Sequence, residues 1–452
     1  MPTDYDAVII GAGPGGETVA SRLLAGGLRV ALIERELIGG ECAYWACVPS
    51  KTLLRAPEVR AEATGAAGLT TPDLDWPALR DYRDTMIRHL DDTAQADQYR
   101  DQGATVIKAT ARLTGRDPWR IETDGRQLTA AHVILATGSQ VLRPPIDGLD
   151  RAEVWTNREA TTLRDIPDRA LLIGGSAVGV ELGHFLNRMG TRVTLVQRGP
   201  RLLDREEPRL GDLVADRLRA DGIDVRLNCQ ADAVRRENGN TVTELSDGSS
   251  VRTDVVVLGA GRAPRTDGLG LDTVGITPRE GGALAIDQHC RVTEDGLWAL
   301  GDLTGIALFT HVAMYQGRIV ADTILGRPRH ANYTGIPRVV FAQPEIAAVG
   351  LTSAQAHDQG IDLATSELDL PGNLARPWTF ETEPAGTLGL LADREHRVLV
   401  GAWAMAPMAG EWIHQAALAI RARIPLDTLL DSIAQFPTYS EAYLKAAERL
   451  DL

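Results

Sequence analysis

Tyr5-Asp6-Ala7-Val8-Ile9-Ile10-Gly11-Ala12-Gly13-Pro14-Gly15-Gly16 is the stretch that decides the fold. A short β-branched run meets clustered glycines, and the helical spacing Val19, Leu23, Leu24 follows. A second strand, Val30-Ala31-Leu32-Ile33, ends at Glu34. Strand, glycine turn, helix and strand in this order form a βαβ dinucleotide-binding unit. Gly11 permits the tight turn, Gly13 lets the backbone approach a pyrophosphate, and Gly16 allows close helix–strand packing. The helix start offers unpaired N–H groups to phosphates, and Glu34 is placed to accept from a ribose hydroxyl.

The device recurs. Ala170-Leu171-Leu172-Ile173 leads into Gly174-Gly175-Ser176-Ala177-Val178-Gly179-Val180-Glu181, and Val193-Thr194-Leu195-Val196 closes the unit. Ser176 stands at the middle glycine, where the backbone is less free to approach a phosphate. Two such units imply two dinucleotides, the logic of a flavin reduced by a nicotinamide. After the last strand comes Gln197-Arg198-Gly199-Pro200-Arg201, with no acid to bind a ribose 2′-hydroxyl and two arginines suited to a 2′-phosphate. NADPH is therefore expected over NADH, with NADH still possible.

Composition narrows the remainder. The 452 residues exceed one core, and about three domains are expected. A net charge of −14 with no basic tract argues against nucleic acid. No apolar run reaches membrane-spanning length, no signal peptide is visible, and four cysteines make no disulfide scaffold. These features suggest a cytoplasmic protein acting on a small molecule, without membrane or metal. Cys229 and Cys290, isolated in sequence, read as structural.

The other two cysteines lie in Gly39-Gly40-Glu41-Cys42-Ala43-Tyr44-Trp45-Ala46-Cys47-Val48-Pro49-Ser50-Lys51, shortly after the first glycine turn. With the two glycine units, Leu297-Trp298-Ala299-Leu300-Gly301-Asp302 and the region from Phe341 to Thr352, this run resembles the class I pyridine nucleotide–disulfide oxidoreductases, the family of glutathione reductase, dihydrolipoamide dehydrogenase and mercuric reductase. The resemblance covers essentially the whole chain. It implies an α/β fold with two Rossmann-like domains, for FAD and NAD(P), and an α+β C-terminal dimerisation domain. The expected limits are 1–148 and 264–332 for the FAD domain, 149–263 for the NAD(P) domain and 333–452 for a homodimer contact.

The resemblance also assigns roles. Cys42 would exchange with substrate, Cys47 would face the flavin as a thiolate, and Lys51 would lie near flavin N5 with Glu181 as its partner. FAD contacts would come from Gly11, Gly13, Gly15, Gly16, Glu34, Arg35, Gly40, Glu41, Lys51, Ala111, Thr137, Gly138, Ser139, Arg262, Asp302, Thr310 and Ala313. NAD(P) contacts would come from Gly174, Gly179, Glu181, Gln197, Arg198 and Gly261. Glu441 matches the glutamate that follows the family's C-terminal His-Pro-Thr.

Here the chain departs from its pattern. Gln435-Phe436-Pro437-Thr438-Tyr439-Ser440-Glu441 puts phenylalanine where the family's acid–base histidine belongs. Phenylalanine cannot move a proton, and Glu441 loses the imidazole that it would orient. Tyr44 and Trp45, between the sulfurs, replace small or polar residues and would either pack or stack on a flat substrate. Ala177 stands where glutathione reductase has an aromatic gate. Mercuric reductase also lacks the histidine, but the tail Ala446-Ala447-Glu448-Arg449-Leu450-Asp451-Leu452 has no metal-delivering cysteine pair.

The sequence thus points to electrons passing from NADPH through FAD to Cys42–Cys47 and on to a disulfide or another two-electron acceptor. The rival is a flavin-dependent reductase or oxidase acting directly on a quinone, oxygen or a specialised metabolite, with the disulfide non-essential. A third reading, a catalytically retired dimeric binding protein, is opposed by the intact cofactor motifs. Loss of a general acid–base forfeits about 10²–10⁴ in rate, so Phe436→His should raise activity toward ordinary small disulfides. Wild-type reduction of glutathione disulfide at ordinary enzymatic rates, with no gain in the variant, would show that another group supplies the proton.

Overall fold

The computed structural model describes residues 3–237 and 239–452, which form two compact units. The first comprises Met1–Ser50, Asp81–Leu142 and Gly261–Asn332. Its sheet runs in the order Arg291–Thr293, Leu297–Ala299, Arg126–Leu135, Tyr5–Ile10, Val30–Ile33, Thr105–Ile107, with Ala111–Gly115 and Trp119–Thr123 continuing from Arg126–Leu135. Tyr5–Ile10 pairs in parallel with both neighbours, Ile9 lying between Leu32 and Ile134. These three residues are wholly buried, because a parallel strand covered on both faces reads as a continuous apolar run.

The glycines set how closely helices approach that sheet. Gly11 has φ +102°, open to glycine, and a Cβ at Gly16 would lie 2.0 Å from the Gly11 carbonyl oxygen. The helix Pro14–Ala25 therefore starts hard against the strand end. Its other face meets the helix Thr310–Ile324, where a Cβ at Gly317 would lie 2.9 Å from the Gly15 oxygen.

The charged stretch from Trp76 to Gln102 forms two helices, Trp76–Met86 and Thr93–Asp101. Arg88, His89 and Leu90 between them all have positive φ. The interruption turns Asp92 to accept the Ile38 N–H at 2.7 Å and ends the helical register.

The second unit comprises Lys51–Arg80, Arg143–Ala260 and Tyr333–Leu452. A five-stranded parallel sheet runs Asp224–Leu227, Arg192–Gln197, Arg169–Ile173, Val255–Leu258, Val154–Trp155. Gly174 (φ +108°) and Gly179 repeat the contact of the first glycine turn, with a Cβ at Gly179 again 2.0 Å from a glycine carbonyl. A three-stranded antiparallel sheet (Ala231–Glu237, Asn240–Leu245, Ser250–Thr253) accompanies it. The C-terminal part is a five-stranded antiparallel sheet, Pro337–Val340, Glu345–Gly350, Val398–Ala406, Thr387–Asp393, Leu363–Asp369, carrying helices such as His414–Ala422 and Glu441–Ala447. Among the described residues no helix is long and apolar enough to cross a membrane.

Neighbouring glycines should respond differently to a methyl group. Gly16→Ala should cost about 1–3 kcal/mol in denaturant unfolding, since backbone must move. A Cβ at Gly13 meets nothing within 4 Å, and its φ of −74° suits alanine. Gly13→Ala should keep wild-type stability while weakening flavin retention, measured as FAD per chain after gel filtration. Equal stability losses in both variants would contradict this division of labour.

Candidate active site

In the first unit the glycine turn and the acid after the second strand come together. Glu34 is 9 % exposed; Oε2 accepts the Ala12 N–H at 2.8 Å and Oε1 accepts the Glu36 N–H at 2.7 Å. Gly13 caps the Pro14–Ala25 helix with no side-chain hydrogen bond. The first N–H groups therefore stay open to an anion, over a space that a Cβ would fill. Gly40, at φ +61°, brings its Cβ position to 2.8 Å from Gly13 Cα, so the cysteine loop abuts the turn. These groups fit a dinucleotide pyrophosphate and ribose, as FAD requires. Arg35 is exposed at 3.8 Å from Glu36, and Ala111 opens the Ala111–Gly115 strand.

Other expected flavin contacts form one network. Arg262 Nε donates to Ser139 Oγ at 2.7 Å and Nη2 donates to the Ser139 carbonyl at 3.0 Å. The Ser139 hydroxyl donates to Asp302, while Glu41 lies 3.7 Å from Arg262. Burial raises Asp302 above the usual carboxylate range, and the Ser139 bond opposes that. Thr137 donates to the Arg265 carbonyl at 2.7 Å, and the Arg265 N–H donates to the carbonyl of Gly138, which has φ +71°. Gly15 and Gly301 both lie against Ala313, each with a Cβ position 3.2 Å from its side chain.

Cys42 lies in the short helix Gly40–Tyr44, and Cys47 begins the helix Cys47–Gly65. Neither sulfur is in a disulfide, and the two thiols are hydrogen-bonded to each other. Thr310 Oγ1 lies 3.4 Å from Cys47 Sγ and also bonds Cys42. The hydrogen bond to Cys47, aided by burial, pushes the Cys42 thiol well above the usual cysteine range. Tyr44 is wholly buried; its hydroxyl donates to the Ile38 carbonyl at 3.1 Å and accepts from Arg88 at 3.3 Å. It is a packing strut, whereas Trp45 is only half-buried. Cys229 and Cys290 are buried, 4 % and 0 % exposed.

In the second unit Lys51 Nζ lies 2.7 Å from Glu181 Oε2. Glu181 Oε1 accepts the Phe341 N–H at 2.9 Å, and Lys51 Nζ sits 4.6 Å from the Phe341 ring centre. Phe341 completes this pair, although no local signal marks it in sequence. The Ser176 hydroxyl donates to the Gly259 carbonyl at 2.7 Å. That bond turns the side chain away from the start of the helix Ala177–Arg188, which again has no side-chain cap. A second dinucleotide fits there. Gln197 Oε1 accepts the Gly175 N–H at 2.9 Å, and Arg201 pairs with Asp212 at 3.1 Å. Arg198 is exposed and has no ion pair among the described residues. Gly261 falls in the first unit, its carbonyl accepting from Leu142.

Phe436 is 72 % exposed. Tyr439 is 3 % exposed and stacked on Trp412, with ring centres 6.2 Å apart. Its hydroxyl and Glu441 Oε2 are buried without a hydrogen-bond partner. No group of three or more His, Cys, Asp or Glu among the described residues could hold a metal ion.

Comparisons with known proteins agree with this arrangement. The family described as pyridine nucleotide-disulphide oxidoreductase matches residues 5–317, and its dimerisation domain matches residues 336–447. A mercuric reductase of Streptomyces lividans is 36% identical over 99% of this chain and 96% of its own length. A dihydrolipoyl dehydrogenase of Bacillus subtilis is 31% identical, covering 99% of this chain and 97% of its own. The solved structure of the Cu(II) complex of the HOCl-induced flavoprotein disulfide reductase RclA from Escherichia coli superposes with a TM-score of 0.88 at 26% identity, over 98% of this chain and 99% of that one. The chain therefore belongs to the pyridine nucleotide-disulphide oxidoreductase family, whose members are FAD-dependent enzymes using NAD(P)H.

Proposed function

We propose that this enzyme is a cytoplasmic homodimer that takes electrons from NADPH and delivers them through Cys42 and Cys47 to a disulfide or another two-electron acceptor that needs no imidazole. Residues 1–148 and 264–332 would build its flavin domain, 149–263 its nicotinamide domain and 333–452 its subunit contact. The observation that carries the proposal is the hydrogen-bonded pair of sulfurs beside Thr310, within the unit that holds every expected flavin contact except Lys51. FAD, when bound, supplies the two-electron relay between nicotinamide and sulfur.

The chain's own groups divide the work at the sulfurs. The hydrogen bond to Cys47, aided by burial, holds the Cys42 thiol above the usual cysteine range, and the family pattern would put the first negative charge of the pair on Cys47. Cys47 starts one helix and Thr310 starts another, and helix N-termini stabilise a thiolate. With a disulfide acceptor, the Cys42 sulfur, having given its proton to solvent, would attack one substrate sulfur and expel the other as a thiolate. Cys47 would then attack Cys42, releasing the second thiolate and closing the Cys42–Cys47 bond, two electrons in all. Phe436 offers no proton to either leaving group. Acceptors whose leaving groups are stable as anions are therefore favoured. Glu441, with Oε2 unpartnered, would be the remaining carboxyl near that step in a dimer of the family's kind.

Anaerobic titration with NADPH tests the scheme. Long-wavelength thiolate absorbance after one equivalent supports it, whereas direct bleaching of the flavin favours transfer to a quinone or oxygen without the disulfide. Aromatic disulfides with acidic thiols should also turn over at least about tenfold faster than glutathione disulfide. Equal rates would contradict the missing-donor argument.

Arg198 would meet the 2′-phosphate, since Arg201 is engaged by Asp212. Loss of one charge-assisted bond is worth about 1.5–3 kcal/mol. Arg198→Ala should thus raise the KM for NADPH roughly tenfold to a hundredfold while barely changing that for NADH. Wild-type kinetics at least as efficient with NADH would reject the preference.

A further inference from the structure

Three side chains on one face of the Ala177–Arg188 helix grip two residues of the C-terminal part, Phe341 and Gln343. Glu181, His184 and Arg188, at spacings of three and four, share that face. Glu181 accepts the Phe341 N–H at 2.9 Å, and His184 Nδ1 accepts the Gln343 N–H at 3.3 Å. Arg188 donates to the Gln343 side-chain oxygen. His184 is 1 % exposed, and its Nε2 lies 2.8 Å from Asp221 Oδ2. A ring nitrogen that accepts from an amide carries no proton, so Nε2–H donates to Asp221 and the imidazole is neutral.

Phe341 links this clasp to the ion pair. Its N–H is held by Glu181, and its ring lies under the Lys51 ammonium. A shift of residues 341–343 would disturb both members at once. We propose that His184 is a positioning residue for flavin reduction, its neutral ring anchoring residues 341–343 and through Phe341 fixing the Lys51–Glu181 pair. The proposal rests on placing that pair beside the flavin ring, as argued from the family resemblance.

The clasp is also sensitive to acid. A second proton on His184 would set Nδ1–H against the Gln343 N–H, two donors face to face. Asp221, at the end of the Pro208–Ala220 helix, favours that cation. Arg217 on the same helix and Arg188 on His184's own helix oppose it, and Glu58 acts on Arg188. Burial is the largest influence and holds His184 below the usual histidine range. The neutral clasp therefore persists at neutral pH and is lost only as pH falls below that range.

The test compares His184→Leu, His184→Gln and Lys51→Met in the holoenzyme, using hydrogen–deuterium exchange over 339–344 and stopped-flow flavin reduction by NADPH. His184→Leu should expose the Gln343 amide to exchange and slow reduction roughly tenfold to a hundredfold. His184→Gln can accept from Gln343 and donate to Asp221, so it should restore protection and rate. Having no proton to gain, it should also abolish the acid-side loss of rate expected of wild type. Unchanged exchange in His184→Leu, or the same acid limb in His184→Gln, overturns the clasp; the glutamine profile decides if the leucine variant does not accumulate. Faster exchange with an unaltered rate, while Lys51→Met is slow, overturns the link from clasp to ion pair. If Lys51→Met reduces its flavin at the wild-type rate, the placement of the pair beside the flavin fails, and the proposed role fails with it.

Discussion

A missing Cβ at two positions governs how this protein presents itself to dinucleotides. Gly16 and Gly179 each sit over a glycine carbonyl so closely that a methyl carbon would lie 2.0 Å from the oxygen. Only that approach allows the helices Pro14–Ala25 and Ala177–Arg188 to begin at the ends of their strands with their first N–H groups uncapped. Unsatisfied donors at a helix start constitute an anion site, and the chain builds two of them. The acids and cations around the turns then have a fixed object to serve.

Charge placement follows from that frame. Glu34 is committed to the first turn by two backbone N–H groups, which orient it before any ribose arrives. Lys51 is neutralised by Glu181, and Asp302 is linked through Ser139 to Arg262. The sulfurs stand where two helix N-termini meet, an environment that favours negative charge on Cys47. What this chain lacks is a proton carrier at position 436. In the proposed scheme the electronic half of the chemistry is intact, while the protonic half is left to the substrate and solvent.

Much of this was legible because glycine turns are local. The order of strand, glycines, helix and acid lies within residues 5–34, and the contacts at Gly16 and Glu34 follow from it, as the contact at Gly179 follows from the repeat over 170–196. The Lys51–Glu181 pair could be anticipated only by family resemblance, since 130 residues separate the partners. Phe341 and His184 escaped for the same reason, each meeting its partner about 160 residues away through a backbone amide that no side-chain pattern announces. The interruption at Arg88–Leu90 is hidden by helical periodicity, because the bond that accompanies it, Asp92 to the Ile38 amide, joins residues 54 apart. Tyr44, ambiguous between packing and stacking, was settled by burial and by its bonds to Ile38 and Arg88.

The central claim is that electrons from the nicotinamide reach Cys42 and Cys47. Its most direct test is alkylation of the anaerobic enzyme by iodoacetamide before and after one equivalent of NADPH, followed by peptide mapping. The account predicts that the oxidised enzyme is unlabelled at both positions, and that reduction opens Cys42 to labelling while the buried Cys229 and Cys290 stay unmodified. A flavin fully bleached by NADPH with no new label at Cys42 or Cys47 would contradict it.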